Sequence, residues 1–267
     1  MQIEKIQSIL TDTHILSSEF LERKVIVDLY FPPGKIINCD VNLLLINDGQ
    51  DLVTMAFQNI LEELYEDEKI KPLWCVGIHC GEDRRNEYGT ANILDYKGRG
   101  AKAALYTRFI FEELLPFIRS EYQILSFKEK SFCGFSMGGL SALDIVWNHA
   151  EEFSKVGVFS GSLWWRTLSQ HDPLFVEEDH RIMHNEIKNG KYYSWLKFFF
   201  ETGTFDEIAD RNKNGIIDSI DDTLSLIGEL VKKGYNSETD IRYVELKDGK
   251  HDVATWARAF PEFLKWI

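Results

Sequence analysis

The chain has 267 residues, of which 30 are Lys or Arg and 43 Asp or Glu, giving a formal net charge of −13. Its 44% apolar and 13% aromatic content can fill a globular core and excludes a disordered chain. Its acidity, with no Lys/Arg-rich run, argues against a nucleic-acid partner. No apolar stretch approaches the ~18–20 residues of a membrane span. The opening MQIEKIQSIL places Glu4 and Lys5 where a secretory leader needs unbroken apolar residues, so a cytoplasmic protein without membrane contact is expected.

The first strand-like run is KVIVDLYF (24–31), followed by NLLLI (42–46) and a helical pattern from Leu52 to about Tyr65. LWCVGI (73–78) leads through a polar loop to a helix from Ala101 to about Tyr122, where Pro116 predicts a kink or an early end. Then come SFCGF (131–135), a helix over 137–149 and KVGVFS (155–160). After a long connection, KFFFE (197–201) precedes a polar insert and a helix over roughly 222–234. IRYVEL (241–246) and a helix from Val253 to Trp266 close the chain. The central strands are continuous apolar runs, as in strands buried on both faces. Their alternation with helices predicts one α/β domain over 1–267, with a mostly parallel sheet between helices and an antiparallel N-terminal edge. Segment 161–195 is a candidate cap and 207–222 an insertion. Of the cysteines at 39, 75, 80 and 133, none forms a C-x-x-C pair. No disulfide framework is expected, and Cys75 and Cys133 are expected in the core.

The most informative segment is SFCGFSMGGLSAL (131–143), in which a buried strand meets Gly134-Phe135-Ser136-Met137-Gly138 and then a helix. This G-x-S-x-G lies in the strand-turn-helix setting of a nucleophile elbow. The turn lifts the serine hydroxyl above the sheet, and the Met137 N–H points from a helix N-terminus toward a developing oxyanion. A general base is then required, and His251 in the loop DGKHD (248–252), after a strand and before a helix, is the best placed of the seven histidines. For the acid, Asp206 and Glu207 follow the strand KFFFE, while Asp221 and Asp222 lie nearer to His251 in sequence. The residues alone leave these open.

With INDGQ (46–50), RNEYG (85–89), FIFEELLPFI (109–118), GFSMGGLSAL (134–143), FSGSLWW (159–165), GTFDE (203–207) and GKHDVATW (249–256), the chain resembles the esterase D-like branch of the α/β-hydrolases. That branch includes feruloyl and acetylxylan esterases, S-formylglutathione hydrolases, enterochelin-type siderophore esterases and mycolyltransferases. The resemblance implies an α/β-hydrolase fold with Ser136 as nucleophile, His251 as base and Asp206 as acid, with Asp222 in reserve. It also implies an oxyanion hole from the N–H groups of Met137 and Gln50, the latter following the turn Asn47-Asp48-Gly49. No catalytic cofactor is implied.

The insertion reads Asp210-Arg211-Asn212-Lys213-Asn214-Gly215-Ile216-Ile217-Asp218-Ser219-Ile220-Asp221. This D-x-N-x-N-G-x-I-D-x-x-D pattern fits a calcium loop. Asp210, Asn212, Asn214, Asp218 and Asp221 would supply side-chain oxygens and Ile216 a backbone carbonyl. Such an ion would be structural. A rival reading is an Asx-rich surface turn. His180 and His184 have a zinc-compatible i, i+4 spacing, but a solvated helix face is the expected role. Arg84 and Arg85 follow the strand LWCVGI and, with Trp164 and Trp165, are candidate substrate-rim residues for an anionic, polyol or aromatic group. Lys97-Gly98-Arg99-Gly100 is a weak phosphate-loop signal. The expected activity is hydrolysis of a small sugar, aryl or siderophore-type ester through an acyl-enzyme. The rivals are an acyltransferase with the same triad and a catalytically idle binding module.

Overall fold

The computed structural model describes residues 8–33 and 41–267, so Glu4, Lys5 and Cys39 lie outside the described residues. Eight strands form one sheet: β1 (Leu10–Ser18), β2 (Arg23–Phe31), β3 (Asn42–Asn47), β4 (Leu73–Ile78), β5 (Lys130–Phe135), β6 (Lys155–Phe159), β7 (Lys197–Phe205) and β8 (Ile241–Lys250). Their order is β1-β2-β4-β3-β5-β6-β7-β8. Pairs β1/β2 and β2/β4 are antiparallel and all others parallel. The antiparallel edge is as expected, but β1 is an additional strand. Its run LTDTHILSS is rich in polar residues because it borders solvent, and so lacks the apolar signature of the buried strands.

The helices are α1 (Asp51–Thr54), α2 (Phe57–Glu66), α3 (Arg84–Glu87), α4 (Ala103–Arg108), α5 (Leu115–Glu121), α6 (Met137–Asn148), α7 (Glu177–His180), α8 (Ile182–Asn189), α9 (Asp218–Lys233) and α10 (Val253–Trp266). The helix expected from Leu52 breaks at Ala56, which adopts φ 53°. The helix expected from Ala101 passes between α4 and α5 through a π-helical turn, Phe109–Leu114. Pro116 follows directly after this turn, in the first turn of α5, and the helix runs on to Glu121. On one side of the sheet, Leu140, Leu143, Ile182 and Leu226 pack with Phe109 and Ile110. On the other, Leu52 and Leu61 pack with Phe260 and Phe263. Each fully buried Leu or Phe contributes about 1.5–3 kcal/mol. Cys75 and Cys133 are core residues, as expected. Among the described residues no helix is long and apolar enough to cross a membrane.

Strands β7 and β8 run longer than expected, pairing as far as Phe205 opposite Lys250. Asp206 and His251 therefore leave the sheet side by side. Likewise Phe135 pairs with Phe159, and Phe159 with Glu201, so Ser136 and Ser160 emerge together at the carboxyl ends of β5 and β6. Parallel α/β sheets present ligand-binding groups at this edge.

Candidate active site

Ser136 joins β5 to α6 with φ 55° and ψ −119°. A non-glycine residue there stores about 1–3 kcal/mol of strain, which the surrounding structure must hold. The Ser136 N–H donates to the Phe159 carbonyl at 2.8 Å, and the Ser162 N–H donates to the Ser136 carbonyl at 3.1 Å. The turn closes so tightly that a Cβ on Gly134 would lie 2.4 Å from the Gly138 carbonyl carbon. The Ser136 Oγ is 3.3 Å from the Ser162 Oγ.

The Asn47-Asp48-Gly49 turn is bound to this elbow. Asn47 Nδ2 donates to the Gly138 carbonyl at 2.8 Å, and Tyr106 Oη donates to Asn47 Oδ1 at 2.5 Å. Asp48 has φ 60° and receives two bonds from the Arg84 guanidinium, each 2.7 Å. Gln50 follows at the N-cap of α1, and its side-chain oxygen accepts from the Cys80 N–H at 3.1 Å. Among the described residues, neither the Gln50 nor the Met137 amide donates to a protein acceptor. Both remain available to a ligand.

His251 stands edge-on to Trp256, with ring centroids 5.4 Å apart. Desolvation holds its pKa below the ordinary histidine value; the charge of Asp206 pulls it up and that of Arg84 pushes it down. Burial raises the Asp206 pKa, and neither of its carboxylate oxygens has a hydrogen-bond partner. Ser136, Asp206 and His251 line one cleft of about 610 Å³ together with Met137, Ser160 and Ser162. No direct hydrogen bond joins the three. Catalytic bonds are often long before substrate binds.

Asp222 is placed elsewhere. It is buried beneath Arg211, whose Nη2 donates to it at 2.5 Å, and Arg181, at 3.3 Å. Asp206 shares the cleft with His251, and Asp222 does not.

Arg84, Arg85 and Trp164 line the cleft. Trp165 does not belong to the rim: it is fully buried, because its ring packs against the backbone of Gly89 and Gly100. The Arg99 guanidinium lies over both tryptophan rings, at 4.8 and 4.9 Å, while ion-paired with Asp95. Lys97 and Arg99 also line the cleft, a role their weak glycine-pair signal did not indicate. Segment 161–195 is less a cap than a wall. Ile182, Met183 and Ile187 of α8 are buried in the core, and from this segment Gly161, Ser162 and Trp164 line the cleft.

In the insertion, Asn212 Nδ2 donates to Asp221 Oδ2 at 2.7 Å and Asn214 Nδ2 to Asp221 Oδ1 at 3.4 Å. Asp210 accepts from the Asn214 and Gly215 amides at 3.1 and 2.9 Å. The Ile216 N–H donates to Asn214 Oδ1 at 2.8 Å, and Gly215 has φ +85°. Asp218 departs from the expected set, because its carboxylate accepts from the Arg211 N–H at 2.8 Å and pairs with the Arg211 guanidinium at 3.2 Å. Among the described residues, no three His, Cys, Asp or Glu side chains converge as for a metal ion. His184 is not on a solvated face: it is buried, with Nε2 3.0 Å from the Asp222 carbonyl oxygen. Desolvation pushes its pKa down to about 3.

Sequence reasoning passed over Ser160, Ser162 and Ser219, which line the cleft together with the acid candidate Glu207, and the buried Glu201. The signal for the first two was the strand-end run FSGS (159–162), which carries two hydroxyls at the carboxyl edge of the sheet. A lone Glu within KFFFE gave no signal.

The family model described as "Putative esterase" matches residues 18–267. No curated protein matches the chain. Among solved structures, the enterobactin esterase FES from Shigella flexneri, solved with 2,3-di-hydroxy-N-benzoyl-glycine, aligns with a TM-score of 0.70 at 20% identity, covering 98% of this chain and 60% of that one. The chain thus spans about three-fifths of the length of that esterase. A ferulic acid esterase aligns with a TM-score of 0.70 at 16% identity, covering 97% of each chain. The siderophore hydrolase EstB from Aspergillus nidulans aligns with a TM-score of 0.68 at 16% identity, covering 99% of this chain and 96% of that one. At such identities the structural likeness speaks for the fold, an α/β-hydrolase fold, and the family model speaks for membership. The chain belongs to the "Putative esterase" family.

Proposed function

We propose that this chain is a serine carboxylic-ester hydrolase. The observation that carries the reading is the β7/β8 pairing through Phe205 and Lys250, which brings Asp206 and His251 into the cleft of the strained Ser136. His251 takes the Ser136 proton as the hydroxyl oxygen attacks the acyl carbon. Asp206 holds the imidazole tautomer and stabilises the imidazolium. The Met137 and Gln50 amides receive the oxyanion, the alcohol leaves with the proton from His251, and water releases the acyl group by the reverse sequence. Arg84, Arg85, Lys97, Arg99 and Trp164 at one cleft favour a small ester that carries negative charge or an aromatic ring, of aryl or siderophore type, over a neutral sugar ester.

Labelling with a fluorophosphonate probe and turnover of a short p-nitrophenyl ester test this reading. Both are expected in the wild type. Ser136→Ala should abolish labelling and lower kcat by about 10⁴–10⁶-fold. Full activity in the variant overturns the assignment. Absence of labelling in folded wild type points to an idle scaffold, and acyl transfer to an added alcohol in preference to water points to an acyltransferase.

We further propose that the insertion binds a structural calcium ion through Asp210, Asn212, Asn214 and Asp221. The support is the gathering of Asn212 and Asn214 on Asp221 and the ligand spacing around Gly215. Thermal melting in calcium against EDTA tests it.

A further inference from the structure

Glu201 lies within β7 with no exposed surface, and neither of its carboxyl oxygens has a hydrogen-bond partner. It pairs in register with Phe159 of β6, which belongs with Phe135, Trp256 and Phe260 to the core on the α10 side. Neighbouring residues in register share a face, so the Glu201 carboxyl stands in that apolar layer, directly below the floor of the cleft. Immediately above it, Ser160 follows β6 with φ 43°, and its N–H donates to the Glu201 carbonyl at 2.8 Å. The Ser160 Oγ accepts from Trp256 Nε1 at 3.0 Å, and His251 rests edge-on against the same Trp256. The Ser160 hydroxyl stands beside both the Glu201 and the Asp206 carboxyl groups.

A hydroxyl has one proton to donate and two lone pairs. Trp256 occupies one lone pair of Ser160. If a protonated Glu201 occupies the other, the Ser160 proton must go to Asp206, and the hydroxyl's donor and both its acceptor sites are used. We propose that Glu201 is a positioning residue that keeps its proton and, through Ser160, orients the Asp206 carboxylate toward His251. This rests on the triad reading above.

Burial and the nearby Asp206 charge favour the neutral form of Glu201, pushing its pKa up to about 8, with Ser160 and Arg258 acting in the opposite direction. The titratable or charged groups around it are Asp206 beyond β7, Tyr243 on β8, and Arg258 on α10, itself paired with Asp248 at 2.8 Å. Once ionised, Glu201 competes for the Ser160 proton and places a second negative charge behind Asp206.

The test compares wild type, Glu201→Gln and Glu201→Leu on a neutral p-nitrophenyl ester from pH 6 to 10. The wild type should lose kcat with an alkaline limb near pH 8. Glu201→Gln, whose amide donates at every pH, should match wild type at pH 6.5 within about twofold and lack that limb. Glu201→Leu should lower kcat about five- to tenfold with KM unchanged, and Gln should rescue what Leu loses. Superimposable profiles for wild type and Glu201→Gln overturn the proposal, and they decide the matter even if the Leu variant fails to fold. A second readout is independent of turnover. Because the folded state holds this proton more tightly than the unfolded chain, wild-type stability should fall as pH rises from about 4.5 to 8 through this group. The melting temperature of Glu201→Gln relative to wild type should therefore rise across that window, and a constant difference overturns the proposal. An inactive wild type, or an active Ser136→Ala, defeats the triad reading instead, while the melting comparison still reports on the Glu201 proton.

Discussion

At the scale of single residues, the His251 imidazole stands between opposing influences. Desolvation and the Arg84 charge disfavour its protonation, while Asp206 favours it, and the net effect is a pKa below the ordinary value near 6.5. A base in that position is unprotonated over more of the acid range than a free histidine. The acid limb of kcat/KM, which reports the free enzyme, should therefore have its midpoint below pH 6.5. Asp206→Asn removes the larger of the two carboxylate charges that raise the pKa, the other being Asp252, so the limb should move lower still. The same change should reduce kcat by about 10³–10⁴-fold through loss of the tautomer. A midpoint above pH 7 in wild type, or an Asp206→Asn variant with near-normal kcat, would contradict the arrangement.

At the scale of elements, what the sequence made legible follows burial. Strands β3 to β6 lie inside the sheet, so their apolar runs stood out, and Ser136 could be placed from the strand and helix around it. Strand β1 escaped because an edge strand keeps a polar side. The ends of β7 and β8 were set too short because their last residues, such as Thr204, Lys247 and Lys250, are polar rim residues that still pair. That extra length is what juxtaposes Asp206 and His251, a proximity that spacing in the sequence could not show. Trp165 and His184 were misplaced for a related reason: their side chains fit either surface or core, and tertiary packing chose the core. Helix α9 begins at Asp218, earlier than the apolar pattern suggested, because the acidic first turn, Asp218 and Asp221, suits a helix N-terminus. The loop before it is where the calcium proposal makes a measurable claim. At a calcium concentration 100-fold above Kd, binding to the folded state alone adds about 2.7 kcal/mol. In a chain of this size, that corresponds to a rise of about 5–10 °C in melting temperature over EDTA. Asp210→Ala should remove the rise, and equal melting in calcium and EDTA would leave Arg211, already paired with Asp218, Asp222 and Glu177, as the cation that organises the segment.

At the scale of the whole molecule, the charge is unevenly placed. The chain carries a net −13, yet Arg84, Arg85, Lys97 and Arg99 line the cleft that also holds Ser136. Two of these cations are already spent, Arg84 on Asp48 and Arg99 on Asp95. Among the described residues, Arg85 and Lys97 have no ion-pair partner, so they are the ones that can answer a charge on the substrate. Two free cations at the cleft attract anionic ligands even when the rest of the surface repels them, and salt screens that effect over about 8–10 Å. An ester bearing a carboxylate or phenolate should therefore have a lower KM than its neutral isostere, and raising ionic strength should erase the difference. Arg85→Ala and Lys97→Ala should each raise KM for the anionic ester about two- to fivefold, the size expected of a solvent-accessible charge pair. Neither change should alter kcat on the neutral ester, because neither residue is placed beside the reacting carbonyl. If the two esters share one KM and one salt dependence, the basic groups serve the packing of the Trp164 wall, and substrate choice must come from shape and not from charge.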